Sequence, residues 1–505
     1  MTLSNLLEEA AQKYSERTAL IYKDREWTYQ KLHQIVLSCA AGLEVKGVKP
    51  GDRVAIFSKN CPEFIFSVFA LAHLGATAVP INFLLNPEEV KFILNDISAR
   101  HLITHISQSD TVQAVRKIYT ELKDIWVIGE NFDSLYSAPI QTPPACKTED
   151  VMLILYTSGT TGRSKGAMLT HGNLISNAQA SAAALDIRIS DRFLLLLPMF
   201  HVFAWTANVL VPVCRGAVIV MAESIRPPKP WLTLMFKQRV TCFSAMPQIY
   251  SLLADQAKGL KKWILRWGFF LRVRICISGS APLAMETLNR FEKNIGVPIL
   301  EGYGLTETSP VTHCNTSRAS RPGSVGQAIP GVKEKIIDEA GKELPMGEEG
   351  EICIQGPNVM KGYYNLPKET AEAFTPDGWF RTGDIGVVDK EGFLYIRDRI
   401  KDMIIVKGLK VFSAQVENIF KAHPAVLEAA VIGIPDETGD EIVKAFVVLK
   451  EGSAADKQDL LDFCKDKLPP YKRPRDIEIR KELPKNALQK VLKRQLRQES
   501  MKNPS

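Results

Sequence analysis

Short apolar runs alternate with amphipathic stretches along most of this chain. Residues 53–57, 77–81, 193–197, 217–221 and 273–277 are brief apolar runs rich in Val, Ile, Leu and Phe, which predicts strands. Between them, residues 62–74 predict a helix with Pro62 in its first turn. Leu3, Leu6, Leu7, Ala10 and Ala11 recur at helical spacing beside Glu8 and Glu9, so the N-terminus reads as a short amphipathic helix rather than a secretory leader. This βαβ rhythm predicts an α/β fold of parallel or mixed sheets covered by helices, with ligands at the C-terminal ends of strands.

The texture changes near Ser324. Glycine turns and short strands (333–337, 350–355, 386–389, 393–396) predict a β-rich subdomain over about 324–397. From 398 to 505 the pattern is a small α+β unit: helix 415–422, strands 425–432 and 444–450, helix 456–467, strand 476–480 and a basic tail. The expected division is an N-terminal domain over 1–397 and a mobile C-terminal domain over 398–505. No apolar run approaches the ~20 residues of a membrane span, which predicts a soluble, cytoplasmic chain that is at most peripheral to a membrane.

Composition narrows the chemistry. At 505 residues the chain is too long for one core. Its net charge of +7 suits anionic small molecules or a membrane surface, and without a concentrated basic arm it does not argue for nucleic acid. The nine cysteines are scattered and never spaced Cys-x-x-Cys, so they read as reduced, buried thiols and not as a zinc site.

Three apolar-to-glycine junctions carry the candidate chemistry. Tyr156-Thr-Ser-Gly-Thr-Thr-Gly-Arg-Ser-Lys-Gly166 follows the apolar run 151–155 and precedes a helix-like stretch over 173–183. Glycines free the backbone to expose its N–H groups, and consecutive N–H groups form an anion nest. The four hydroxyls of Thr157, Ser158, Thr160 and Thr161, with Arg163 and Lys165, suit a polyphosphate. The loop lacks the Gly-Lys-Ser/Thr ending of a Walker loop. The second junction is Ile275-Cys-Ile-Ser-Gly279-Ser-Ala-Pro282, and the third is Glu301-Gly-Tyr-Gly-Leu-Thr-Glu307. Tyr303 offers a flat ring for a base, Thr306 a phosphate donor and Glu307 a carboxylate for Mg²⁺. Read singly, each is also an ordinary polar turn.

Four motifs in order, Tyr156-Thr-Ser-Gly-Thr-Thr-Gly162, Glu301-Gly-Tyr-Gly-Leu-Thr-Glu307, Tyr395-Ile-Arg-Asp-Arg-Ile-Lys-Asp402 and Pro484-Lys-Asn-Ala-Leu-Gln-Lys490, give the chain a resemblance over nearly its whole length. It resembles the adenylate-forming superfamily of acyl-CoA synthetases, luciferases and peptide-synthetase adenylation domains, and most of all the bacterial medium- and long-chain fatty acyl-CoA synthetases. The resemblance implies substrates ATP, CoA and a carboxylic acid, with Mg²⁺, and it admits a homodimer. It implies that Thr157, Ser158, Gly159, Thr160, Thr161, Gly162 and Lys165 clamp the ATP phosphates. Gly279, Ser280, Ala281, Pro282, Glu301, Gly302, Tyr303 and Gly304 would line the nucleotide pocket. Thr306 would touch the α-phosphate, Glu307 would bind the metal, Asp384 would accept the ribose hydroxyls and Arg399 would reach the nucleotide. Lys401 would be the hinge, Gly408 would face a CoA tunnel, and Lys490 would bridge the carboxylate and the α-phosphate, with Lys485 and Lys493 as nearby alternatives.

The acid is read from Pro198-Met-Phe-His-Val-Phe-Ala-Trp205. No Asp stands there to pair with an amino group, so an amino acid is not expected. His201, Val202, Trp205 and Gly304 would form the acyl pocket, with His201 also catalytic; Trp205 would gate it as in long-chain synthetases, or be a core aromatic. Residues 258–274 mix Lys261, Lys262, Arg266, Arg272 and Arg274 with Trp263, Trp267, Phe269 and Phe270, either a membrane-facing stretch or a packed helix with snorkelling charges. Two departures from the family pattern are Ser164 for a proline and Gln489 for a glycine. Other readings are a ligase for an aromatic or short-chain acid, an acyl-adenylate donor to a carrier protein, a luciferase-like oxygenase and a binding-only relative.

Overall fold

The computed structural model describes residues 1–140, 146–157, 164–436, 440–485 and 490–502. Two large sheets dominate residues below 330. In the first, the strands run in the order 327–328, 311–314, 299–304, 275–278, 242–245, 192–195, 218–221, 18–22 and 25–28. Its five central neighbours, from 275–278 to 18–22, pair in parallel, as does 299–304 with 275–278. The second runs 362–363, 165–170, 151–157, 77–80, 53–57, 101–105 and 124–128.

Both sheets contribute to one core, and helix Pro62–Leu74 is central to it. Every residue of that helix except Glu63 is buried, so it needs no polar face. Pro62 presets its first turn, and Gly75 ends it in the left-handed conformation at φ 70°. The five expected strands of these two sheets and this helix stand within a residue or two of where the apolar pattern puts them.

At the first glycine-rich loop the strand before it and the helix after it both stand, but the sequence reading has no strand between them: Lys165–Thr170 forms a second strand antiparallel to Val151–Thr157, with Thr157 opposite Lys165. The junction is a β-hairpin, and the helix His171–Ala184 begins only afterwards, capped by Thr170. The short run Gly-Ala-Met-Leu, beside so much turn chemistry, hid the strand.

Beyond 330 a four-stranded antiparallel sheet (Lys333–Ile337, Gly350–Gln355, Phe380–Val388, Leu394–Arg399) has its own small core. The C-terminal part holds the hairpin Ile404–Val406/Leu409–Val411, a three-stranded sheet (Val426–Pro435, Glu441–Leu449, Asp476–Arg480) and helices Ser413–Lys421, Lys457–Lys465 and Lys493–Lys502. It too has a separate core. Of the nine cysteines, seven are buried and two are partly so, and all are free thiols. Among the described residues no helix is long and apolar enough to cross a membrane.

Candidate active site

A cavity of about 880 Å³ lies where the C-terminal ends of strands from both large sheets meet the C-terminal part of the chain. Pro80, Thr157, Ser278 and Gly302–Glu307 reach it from strand ends, and Arg399, Lys401, Lys485 and Lys490 reach it from the later part of the chain. In open α/β sheets ligands bind in the crevice outside the carboxyl ends of the strands.

The cavity lining is of two chemical kinds. Lys165, Arg381, Arg399, Lys401, Lys485 and Lys490 line it together with the carboxylates of Glu89 and Glu307. Arg381, Arg399 and Lys485 already hold carboxylate partners in Glu351, Asp384 and Glu428, and the cluster still offers several cationic heads to a polyanion. Elsewhere the wall is apolar: Leu185, Phe193, Val202, Phe203, Ala207, Val211, Pro310 and Val311. Residues 204–210 on this wall form a wide π-helical turn, a local geometry common at binding sites.

The side chains on the charged side are braced by one another. The Tyr303 hydroxyl donates to Asp384 at 2.7 Å, and the other Asp384 oxygen lies 3.1 Å from Nε of Arg399. Asp384 is buried and Arg399 points to the cavity. Tyr363 donates to Glu307 at 2.9 Å, and Lys165 sits 5.0 Å over the Tyr363 ring. Ser280 adopts φ 72°, a left-handed conformation rare for a residue with a side chain, and lines the cavity. Gly304 cannot be larger: a Cβ there would lie 1.9 Å from the Pro310 carbonyl oxygen.

Lys490 reaches the cavity surrounded by protein, and Lys493 does not reach it. Lys493 instead pairs with Glu417 at 2.6 Å and bonds to Ser413. Burial, with Arg399 and Lys401 nearby, pushes the Lys490 ammonium down to about 8, although Asp384 and Asp402 pull the other way. Burial, then the nearby Lys490 charge, lowers His201 to about 4, so it is neutral at pH 7. Its Nδ1 accepts the Phe203 N–H at 3.2 Å, which leaves the ring proton on Nε2 as a donor.

Several expected site residues take other places. Trp205 does not line the cavity: its indole is fully buried against Phe64 and Phe69, ring centroids 5.9 and 6.4 Å away, a core position and not a pocket gate. Ala281 and Pro282 fall outside this cavity, and Pro282 borders a second groove. Glu301 is buried behind the wall, where its carboxylate accepts the Leu283 N–H at 3.2 Å and steadies the 279–284 loop. Gly408 sits at an exposed hairpin tip with φ 76° and nothing within 4 Å of a Cβ. Ser158, Gly159, Thr160, Thr161 and Gly162, with Arg163 and Gln489, lie outside the described residues.

Sequence reasoning missed Tyr363, Thr382 and Phe203. Thr382 stands two residues before Asp384, in Phe380-Arg-Thr-Gly-Asp384, and lines the cavity. Tyr363 has no local signal; antiparallel pairing of 362–363 with Ala167–Met168 brings it in from far along the chain.

Glu307 is one carboxylate, and among the described residues no cluster of three or more ligating side chains could enclose a metal. That suits Mg²⁺, which takes one or two carboxylates together with substrate phosphates and water.

The family model for AMP-binding enzymes matches residues 7–364, and that for the AMP-binding enzyme C-terminal domain matches 415–490. A long-chain-fatty-acid–CoA ligase of Bacillus subtilis (strain 168) is 36% identical, over 99% of this chain and 95% of its own. The structure of an anthranilate CoA ligase with anthranoyl-AMP superposes at TM-score 0.92 with 30% identity, covering 99% of this chain and 97% of that one. MatB from Rhodopseudomonas palustris, 30% identical with 99% of both chains covered, superposes at 0.91 in its ATP-bound form and at 0.80 without ligand. With a cationic cavity at strand ends and a lysine delivered to it from the C-terminal segment, this chain belongs to the AMP-binding enzyme family, as an adenylate-forming acyl-CoA ligase.

Proposed function

We propose that the chain activates a medium- or long-chain fatty acid with ATP, giving acyl-AMP and pyrophosphate, and then transfers the acyl group to CoA with release of AMP. The observation that carries this reading is one cavity lined both by a cluster of cationic side chains and by apolar ones. A carboxylate is a poor electrophile because its leaving group would be oxide; adenylation replaces that with AMP. The first step gathers anions, so it needs fixed positive charge more than a general base.

In this reading Thr157 and Lys165, which face each other across the hairpin, hold the polyphosphate. Tyr303 stacks on the base. The Asp384–Arg399 pair receives the ribose and neighbouring phosphate. Thr306 donates to the α-phosphate. His201 presents Nε2–H to the acid carboxylate, and Lys490 spans that carboxylate and the α-phosphate. Glu307 would hold Mg²⁺, which when bound neutralises phosphate charge. Lys401 would serve as the hinge and Gly408 would meet the incoming thiol after the C-terminal part turns. The better match to ATP-bound than to ligand-free MatB supports this geometry as the adenylating one.

One observation favours a second reading, an aromatic acid. Ser181 is 3% exposed and lines the cavity, and among the described residues its hydroxyl has no hydrogen-bond partner, so a substrate hydroxyl or amine could satisfy it. The relative bound to anthranoyl-AMP acts on such an acid. The deciding experiment measures AMP formation from acetate through palmitate, cinnamate and anthranilate, with and without CoA. A maximum at medium or long chains supports the first reading. A cinnamate or anthranilate maximum replaces it with the second, and AMP from no acid overturns both.

A further inference from the structure

Residues 259–271 carry their apolar side chains on the wrong side for a soluble helix. Helix Gly259–Trp263 continues into the π-helical Ile264–Phe269. Leu260, Trp263, Ile264, Trp267 and Leu271 follow helical spacing and are 75, 54, 49, 53 and 57% exposed. The inward positions Leu265 and Phe270 are 5 and 1% exposed, so the segment is docked on the protein and still presents a second, outward apolar stripe.

The stripe is rimmed by positive charge. Lys258, Lys261 and Arg272 are exposed, and Lys262 and Arg266 are partly so. The chain has no Asp or Glu between Asp255 and Glu286. Among the described residues none of Lys258, Lys261, Lys262 or Arg272 has a carboxylate at ion-pair distance. Arg266 stacks beside the Trp267 ring at 5.4 Å.

We propose that this face docks on an anionic lipid bilayer, with Trp263 and Trp267 at headgroup level and the lysines on the acidic lipids. Exposed tryptophans beside Lys and Arg on a helix lying flat are what a membrane interface selects. None of the five apolar residues lines either large cavity, so the face is a surface without a socket. Such a face suits a deformable partner better than a fitted one. A second copy of the chain is disfavoured, because two-fold pairing would set each cationic rim against its own kind. The inference is independent of which acid is activated.

The test is co-flotation of the full-length chain with vesicles of phosphatidylcholine alone or with about one third phosphatidylglycerol. Wild type is expected to bind the mixed vesicles at least ~10-fold more tightly, and less so at high salt. Lys261→Glu with Lys262→Glu should erase the preference for anionic lipid. Trp263→Ser with Trp267→Ser should lower binding at least ~10-fold, and both pairs should retain AMP formation from a water-soluble acid. Equal binding of wild type and both variants overturns the proposal, as does failure of wild type to float. A dimer that the tryptophan variants dissolve, or lipid-independent binding to an acidic protein, would also overturn it.

Discussion

Lys490 carries a charge that the proposed adenylation needs and that its surroundings oppose. Burial and Arg399 bring its free-enzyme value to about 8, so the protonated form is lost as pH rises through that point. The rate of pyrophosphate release at low substrate should therefore fall above pH ~8, because that regime reports free-enzyme ionisations. Lys490→Arg should be slower but lack this alkaline limb, and an unchanged limb would remove Lys490 as its source. Lys490→Ala should cost ~10²–10³ in adenylation while thioester formation from supplied acyl-AMP persists; equal loss of both would sink the assignment. Glu301 gives a second residue-scale prediction with the opposite sign from a paired carboxylate. Burial raises it to about 7 from the 4.5 of a free glutamate, so between those values the folded state binds more protons than the unfolded one. Stability from this group is full below pH ~4.5 and is lost as pH climbs to ~7. In Glu301→Gln the Leu283 N–H keeps an acceptor, so denaturant midpoints should show the variant gaining on the order of 1–3 kcal/mol over wild type between pH 5 and pH 8. A pH-independent difference would place the ionised carboxylate in a better-solvated site than this one.

At the scale of elements, the pair Ile299–Gly304 and Val311–Cys314 sets the cavity floor, and its tolerance depends on one missing methyl group. Gly304→Ala would push a Cβ into the Pro310 carbonyl, a backbone atom that cannot swing aside. We expect ~1–3 kcal/mol of destabilisation in thermal or urea unfolding and a larger fractional loss of AMP formation. Gly408→Ala is the contrast: open space surrounds it, and its cost should be only the ~1 kcal/mol of a left-handed backbone. Adenylation in Gly408→Ala should be unchanged; a loss there would mean that the hairpin tip contributes before the thiol arrives.

At the scale of the whole molecule, Asp398 joins the two parts of the chain. Its backbone pairs with Ile385 in the four-stranded sheet, while its buried carboxylate accepts Ser413 Oγ at 2.8 Å and the Ala414 N–H at the start of helix Ser413–Lys421. That contact, with the Lys410–Glu339 ion pair, ties the segment after 400 to the four-stranded sheet. Asp398→Ala should slow pyrophosphate release about tenfold, the equivalent of ~1.4 kcal/mol, with thioester formation from acyl-AMP little changed. An equal slowing of both steps would make Asp398 a plain stability residue.

Much of this was readable without coordinates. The apolar runs fixed the sheets because a parallel strand covered on both faces must be apolar throughout, which is a local property. Glu307 stood out from its own short run of glycine and hydroxyl residues, whereas Asp384, Arg399 and Lys490 were singled out only through the resemblance carried by four ordered motifs; the structure places Glu307, Arg399 and Lys490 at the cavity and Asp384 behind Arg399. The second strand of the 157–165 hairpin was hidden, since a strand is decided by its neighbour across the sheet. Trp205 stayed open between two readings for a related reason: a large aromatic suits a pocket rim and a core equally, and only packing against Phe64 and Phe69 chose the core. Tyr363 and Ser181 join the cavity through pairings and helix contacts far apart in the chain. The exposed stripe at 260–271 shows the same limit, because periodicity defines a face but cannot say whether that face points inward. By itself the sequence determined that ATP-dependent acid activation is encoded here; tertiary structure decided which side chains share the cavity, because burial and the resulting electrostatics exist only once distant segments meet.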